Sequence, residues 1–552
     1  MFKTSVLGLA LVLAAQVAAA QIGAGGQIQQ IPAAPGAAKS IPELRVQRGH
    51  AAVTAPGGER VVVTSLHVRG QRHFTEAALI DAAHFRAGAT MDLNDLRAMA
   101  RRITDFYARH GYFVAQAYVP AQDIVSGVVT LTVVEGRYGH IAVRNRAHVS
   151  GRLVRGILAG VDVGDPIVSP PLQRRLLLLS DMPGVAVSST LKPGAAVGDS
   201  DLLVDLEPGH RFSGSLQADN GGNRYTGEYR GGATINLNNP TGHGDVASLR
   251  FLTSGDGLNY IRGSYEARIQ DATVGVAFTH LGYRLGREFS DLGASGTADI
   301  ASVYGSYPLI RSRDNNLYAT AGFDYRMFHD HVRSTGSTID RADPVGLVGL
   351  NGDFRDGLFG GGSTTYAVGA AFGDLDIQSA QARAADALTA RTEGGYAKVY
   401  AAGSRLQQVA GPLSLWVQAR GQLASKNLDL SEKMELGGPD GVRAYPEGEA
   451  YGDEGYLLNA EARLALPTWR GRVPGRFQAI AFVDNGSVRL VKNVYAEGPN
   501  VRTLSAAGVG LNWANDHGWA AQVAYAFKVG DERATSAPDR SGRLWVQVTK
   551  VF

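Results

Sequence analysis

From Arg211 to Phe552 the chain alternates apolar and polar residues with a period of two, most clearly in GEYRGGATINLN. There Tyr229, Gly231, Ala233, Ile235 and Leu237 share one face, while Glu228, Arg230, Thr234 and Asn236 share the other. YIRGSYEAR repeats the pattern, with Ile261, Gly263, Tyr265 and Ala267 opposite Arg262, Ser264, Glu266 and Arg268, and LYATAGFDYRM and LSLWVQARGQL follow it. Such segments run to roughly 10 to 13 residues, longer than the soluble norm and matched to a tilted strand crossing a membrane.

Sixteen strands are predicted, beginning near residues 212, 226, 244, 258, 272, 300, 316, 345, 363, 394, 412, 456, 476, 503, 518 and 542. An even count suits a bacterial outer-membrane barrel. Connections after odd strands include residues 285 to 299, 329 to 344, 374 to 393, 425 to 455, 486 to 502 and 529 to 541, whereas those after even strands are mostly short, as in NPTGHG and NDHG. Long loops outside and short turns inside then put both barrel ends in the periplasm. In the last strand, LWVQVTKVF, Lys550 shares a face with Val548 and Phe552 and breaks the alternation. A lysine near the interface is expected to snorkel.

Upstream the pattern changes. Residues 61 to 136 read as a strand (VVVTSLHVRG), helices over Thr75 to Ala82 and Leu93 to His110, and strands VAQAYVP and VVTLTVVEG. Residues 137 to 209 repeat this βααββ order with IAVRNRA, helices near Leu153 to Leu158 and over Leu172 to Ser180, then VAVSSTL and DLLVDLEPG. Apolar residues at helical spacing, such as Leu96, Met99, Ile103 and Tyr107, give the longer helix one face to lay on a small sheet. Two small α+β domains therefore precede the barrel.

Residues 1 to 20 have a lysine at position 3, an apolar run from Val6 to Ala15 and a small-residue exit at Ala18-Ala19-Ala20, the pattern of a cleaved secretory signal. Residues 21 to 32 predict a short helix around Gly26, Gln27, Ile28, Gln29 and Gln30. Residues 33 to 60 form an Ala/Gly/Pro-rich linker, able to reach about 90 Å at about 3.3 Å per residue.

Composition narrows the functions. The 70 glycines accord with many turns, and the absence of cysteine removes disulfides and thiolate chemistry. A net charge of +3 with interleaved signs gives no nucleic-acid footprint. Neither an HExxH zinc motif nor a G-x-S-x-G elbow occurs, so no enzyme is expected.

One stretch stands apart: GGPDGVRAYPEGEAYGDEG, residues 437 to 455, carries many acids and a lone Arg443 in a loop spanning 425 to 455. On a later strand Phe477, Ala479, Ala481 and Val483 make a lipid-facing set, leaving Gln478, Phe482 and Asp484 inward.

A signal, a short helix, a linker, two βααββ units and a sixteen-stranded barrel together resemble the outer-membrane transporters of two-partner secretion (TpsB proteins, ShlB/FhaC/HecB-like) within the Omp85 superfamily. LLLLSDMPGVAVSSTLKPG is similar to that family's second POTRA domain, and DNGGNRYTGEYRGGATINLNNPTGHGD to its first barrel hairpin. The loop at 425 to 455 resembles its sixth loop, whose Val-Arg-Gly-Tyr motif reads Val442, Arg443, Ala444 and Tyr445 here. An alanine in place of glycine would be strained if the backbone required positive φ. The family's Phe-x-Asp-x-Gly matches Phe482, Asp484 and Gly486.

The resemblance implies that Arg443 reaches through the lumen to Asp484, that residues 26 to 30 plug the pore, and that an exported chain passes inward-facing Arg230, Arg262, Glu266, Arg268 and Arg420. Its expected partners are a secreted exoprotein with an N-terminal two-partner secretion domain, outer-membrane lipid, and the barrel-assembly machinery during biogenesis. No cofactor is implied. Strand addition to VAQAYVP or VAVSSTL is the expected docking mode. An Omp85-type insertase, which usually carries more POTRA units, and a porin are the alternatives.

Overall fold

The computed structural model describes residues 23–35, 42–46, 59–467 and 474–552. The signal segment and much of the linker lie outside the described residues. A short helix α1 (Ala24–Gln29) and a strand β1 (Glu43–Val46) come first.

The first small domain contains β2 (Val61–Val63), β3 (Ser65–Arg69), α2 (Glu76–Ala82), β4 (Ala89–Met91), α3 (Leu93–Arg109), β5 (Gln116–Tyr118) and β6 (Val128–Val134). Its sheet runs β3-β6-β5, with a separate β2–β4 pair that the sequence pattern does not announce because β4 is only three residues long. Asp92 caps α3 and, with Asp95, forms a capping box. The predicted apolar stripe, Leu96, Met99, Ile103 and Tyr107, packs on Leu66, Val68 and Leu131.

Under that core lies Glu135. Its carboxylate accepts from the backbone N–H groups of Arg72 (2.6 Å) and His73 (3.0 Å) and from the Tyr107 hydroxyl (2.9 Å). Burial alone would raise its pKa; the converging donors outweigh burial and hold it below the ordinary carboxylate value.

The second domain has β7 (Arg137–Asn145), α4 (Gly151–Ile157), α5 (Ser169–Ser180), β8 (Val185–Pro193) and β9 (Asp199–Pro208). Here the βααββ order is unmodified, but the sheet has four strands in the order β1-β8-β9-β7. Residues 43–46, assigned to linker by composition, pair in parallel with Ser188–Leu191. An otherwise open β8 edge recruits them, since unpaired strand groups are satisfied by any extended segment within reach.

The barrel begins with β10 (Phe212–Asp219), β11 (Arg230–Asn238), β12 (Val246–Thr253), β13 (Leu258–Ile269), β14 (Ala272–Arg284) and β15 (Ala294–Arg311). It continues through β16 (Asn315–Val332), β17 (Ser337–Asp356), β18 (Gly362–Ile377), a loop helix α6 (Ala380–Leu388), β19 (Gly394–Ala410) and β20 (Leu413–Ala424). A two-stranded ladder of β21 (Met434–Glu435) and β22 (Tyr451–Gly452) lies within the sixth loop. The last strands are β23 (Glu454–Ala465), β24 (Arg476–Arg489), β25 (Val501–Ala514), β26 (Trp519–Lys528) and β27 (Gly542–Val551).

Sixteen antiparallel strands close the barrel, β27 pairing back on β10. Outward positions such as Ile235, Phe251, Val348, Val483 and Val509 are exposed apolar residues, the surface a bilayer would cover. Most of the outer loops are shorter than predicted, as at 285–293, 333–336 and 490–500. Strands β16 and β17 run on to a tight turn at 333–336, with cross-strand pairs His329–Asp340 and His331–Thr338. Beyond the lipid both faces of a strand are polar, so the alternation that marks a strand fades while the ladder continues. Lys550 reaches the carbonyl of His517 in a periplasmic turn and lies 5.7 Å from the Trp519 ring centroid, which removes the anomaly in the last strand.

The second domain is fastened to the barrel base. Arg174 and Arg175 both pair with Asp271 in the β13–β14 turn, and Arg311 of β15 makes a two-pronged pair with Asp181.

Candidate functional site in the barrel lumen

The chain between β20 and β23 turns back into the barrel rather than covering its mouth. Apolar contacts draw it in: Leu436, Val442, Ala444 and Tyr445 pack on Ile480, Phe482, Leu504 and Ala526 of the wall. This places Arg443, only 4% exposed, opposite β23 and β24.

Its guanidinium makes two parallel bonds to Asp484, Nε to Oδ2 at 2.9 Å and Nη2 to Oδ1 at 2.7 Å. Nη1 donates to Glu461 Oε1 at 2.6 Å, and the Arg443 backbone N–H donates to Asp484 Oδ2 at 3.1 Å. Phe482 lies beneath, its ring centroid 3.5 Å from Cζ. Asn459 donates to Asp484 at 2.8 Å, and Arg463 balances Glu461. Trp545 of β27 donates its indole N–H to the Arg443 carbonyl at 2.6 Å. Val442, Arg443 and Tyr445 are thus brought together with Phe482 and Asp484; Glu461, Asn459 and Trp545 were not singled out from sequence, although the first two occupy alternate inward positions of β23.

Ala444 does not adopt a left-handed φ, so alanine brings no backbone strain there. Gly486 matters for space: a Cβ on it would come within 2.8 Å of Leu436 Cδ2 in the loop.

The N-terminal helix fills much of the remaining lumen. It spans Ala24–Gln29, two residues earlier than predicted at its start, and leaves Gln30 as the C-cap. Ala24 N–H donates to Asp330 at 2.9 Å, Gln27 accepts from Thr226, and Gln29 donates to the Leu430 carbonyl at 3.0 Å. Gln30 donates to the Tyr451 hydroxyl and its carbonyl accepts from Arg230 at 2.9 Å. Ile28 packs against the cluster containing Leu252, Tyr260 and Phe328. Gly25 and Gly26 are buried, and a Cβ on Gly25 would lie 2.8 Å from that of Ser431. Helix and sixth loop therefore touch at Leu430, Ser431 and Tyr451.

The charged residues predicted to line a path are engaged in this arrangement. Arg230 pairs with Asp219 at 2.8 Å, Arg262 donates to Thr279, Glu266 accepts from Tyr304, and Arg420 donates to the Glu435 carbonyl. Arg268 departs from the prediction: it lies at the barrel base, donating to the Leu178 carbonyl at 2.9 Å, because α5 of the second domain docks there. Between helix, loop and wall remains a cavity of about 820 Å³, lined by Arg230, Arg420, Arg443, Glu435, Glu447 and Trp545 among others. Among the described residues no cluster of three or more metal-ligating side chains occurs.

Comparison with known proteins agrees with this architecture. Residues 61–136 match the ShlB-type POTRA domain, and residues 198–513, over half the chain, match the haemolysin secretion/activation protein family ShlB/FhaC/HecB. The heme/hemopexin transporter protein HuxB of Haemophilus influenzae is 29% identical over 472 residues, covering 84% of this chain and 82% of the relative. The outer membrane transporter CdiB of Dickeya dadantii is 23% identical, over 72% of this chain and 70% of its own. Among solved structures, CdiB from Escherichia coli superposes with a TM-score of 0.67 at 20% identity, covering 92% of both chains. BamA from Haemophilus ducreyi lacking POTRA domains 1–3 gives 0.56 at 14% identity, covering 89% of this chain and 100% of its own. With its closed sixteen-stranded barrel and the family match over most of that barrel, this chain belongs to the ShlB/FhaC/HecB family, the outer-membrane transporters of two-partner secretion, whose POTRA domains lie in the periplasm.

Proposed function

We propose that the protein exports one large exoprotein of the haemolysin, haemagglutinin or adhesin type, whose N-terminal secretion domain docks on the POTRA domains. β5 favours itself as the docking strand: it is an outer strand of the β3-β6-β5 sheet, whereas β8 is paired on both sides. Backbone hydrogen bonds from an added client strand supply affinity with little demand on sequence.

Export then requires the lumen to empty. The observation that carries this reading is the double occupancy of the barrel by α1 and the sixth loop, each hydrogen-bonded to the wall and to one another. The linker of residues 33 to 60 gives α1 slack to leave, once β1 or its flanks yield. Arg443 and Asp484 act as a latch: a two-bond arginine–carboxylate pair fixes direction as well as distance, so the loop has one resting position.

Planar-bilayer recordings of a variant lacking residues 24–35 test the plug. Larger and more frequent openings than wild type are expected, while identical conductance would support an open porin instead. Secretion assays on Arg443→Ala, Asp484→Ala and the exchange Arg443→Asp with Asp484→Arg test the latch; wild-type export by both alanine variants would refute it.

A further inference from the structure

Beyond Arg443, the sixth loop holds a second buried ion centre on its returning arm. Glu449 is 2% exposed and its partner Arg502, on β25, is 7% exposed. Five donors converge on the Glu449 carboxylate. Arg502 Nη2 and the backbone and hydroxyl of Thr535 (2.7 and 3.0 Å) meet Oε1; the backbone and hydroxyl of Ser536 (3.0 and 2.7 Å) meet Oε2. Thr535 and Ser536 belong to the eighth loop, between β26 and β27. That loop is gripped again by Arg502, which donates to the carbonyl of Arg533 at 2.7 Å, and by the Tyr445 hydroxyl, which donates to the carbonyl of Glu532 at 3.0 Å.

The eighth loop leads directly into β27, the strand that closes the barrel. Its seam with β10 has the shortest register of the barrel, five residue pairs from Ser215–Val551 to Asp219–Gln547. The same strand is tied to the sixth loop by the Trp545 bond to the Arg443 carbonyl. A carboxylate that saturates both oxygens with donors from another loop gives far more positional constraint than a solvated surface pair.

We infer that Glu449 is a second latch residue: it fastens the eighth loop to the returning arm of the sixth, so that release of the sixth loop also frees the eighth. Opening of the pore then includes a loosening of the eighth loop, not only withdrawal of the sixth. The consequence for export rests on the reading of the chain as a protein transporter; the measurement below needs no client and fails separately from that reading.

The chain has no cysteine, so a single Ala537→Cys reporter in the eighth loop, at a residue 9% exposed, can be followed by maleimide labelling without background. In purified protein in lipid bilayers, Glu449→Ala is expected to raise the labelling rate about tenfold or more by favouring local opening. Glu449→Gln, which keeps an acceptor oxygen but loses the charge facing Arg502, should fall between. Arg502→Gln should also raise the rate, and it carries the test if Glu449→Ala yields no heat-modifiable, folded barrel. An unchanged rate in folded Glu449 and Arg502 variants overturns the inference.

Discussion

At the scale of single residues, the proposed sixth-loop latch is a charge problem solved by geometry. Arg443 faces two carboxylates, Asp484 and Glu461, all buried, and Arg463 restores the balance. Removing Arg443 leaves buried carboxylates without their cation, a loss of about 3–5 kcal/mol by analogy with other broken buried pairs. Arg443→Lys should also fail in export, because an ammonium keeps the charge but not the fork. By contrast Ala444→Gly, which restores the family's residue, should leave secretion at wild-type level and stability within about 1 kcal/mol, since the site has no left-handed φ for glycine to relieve. Thermal unfolding alongside client release into the medium checks both. Arg443 and Asp484 were legible in the sequence through two short motifs. Glu461, Trp545 and Glu449 were not, because their roles arise from strands and loops brought together only when the barrel closes.

At the scale of elements, alternation found every barrel strand but not where each one stops. Strand β17 runs from Ser337, well before its apolar alternation begins near residue 345, because polar cross-strand pairs extend it past the lipid. Strand β1 escaped for the opposite reason: four residues in a Pro/Gly-rich stretch have no pattern of their own and become a strand only on the β8 edge. Deleting residues 43–46 should therefore raise amide hydrogen exchange across 185–191, and unchanged exchange would show that edge to be protected otherwise. In the first POTRA domain, Glu135→Gln should cost about 1–3 kcal/mol at neutral pH through weakened donors to a charged acceptor. Because the folded-state pKa of Glu135 is lowered, its stabilisation is complete above the ordinary glutamate value, about 4.3. It is lost as pH falls through the lower folded value. Urea-dependent proteolysis of the domain between pH 7 and pH 3 should show wild type and Glu135→Gln converging at the acid end.

At the scale of the molecule, three bodies are fastened in series. Arginine–aspartate pairs hold the second small domain to the barrel base, the chain joins that domain to α1 through β1, and α1 with its C-cap meets the sixth loop at Leu430 and Tyr451. For a client docked as proposed above, these contacts form a covalent and hydrogen-bonded route to the lumen. The overall architecture was readable from strand parity and the repeated βααββ units; the occupied state of the lumen was readable only by resemblance, since nothing in the Gly26 to Gln30 pattern itself dictates burial inside a barrel.

The central claim is that this chain exports a dedicated exoprotein, and quantitative comparison of the surface and secreted proteins of cells with and without it tests that claim most directly. The account predicts selective loss of one large exoprotein, restored by the wild-type chain and not by Arg443→Ala, with the other outer-membrane barrels at normal levels. A general fall in outer-membrane barrel proteins, or an unaltered set of exported proteins, would contradict it.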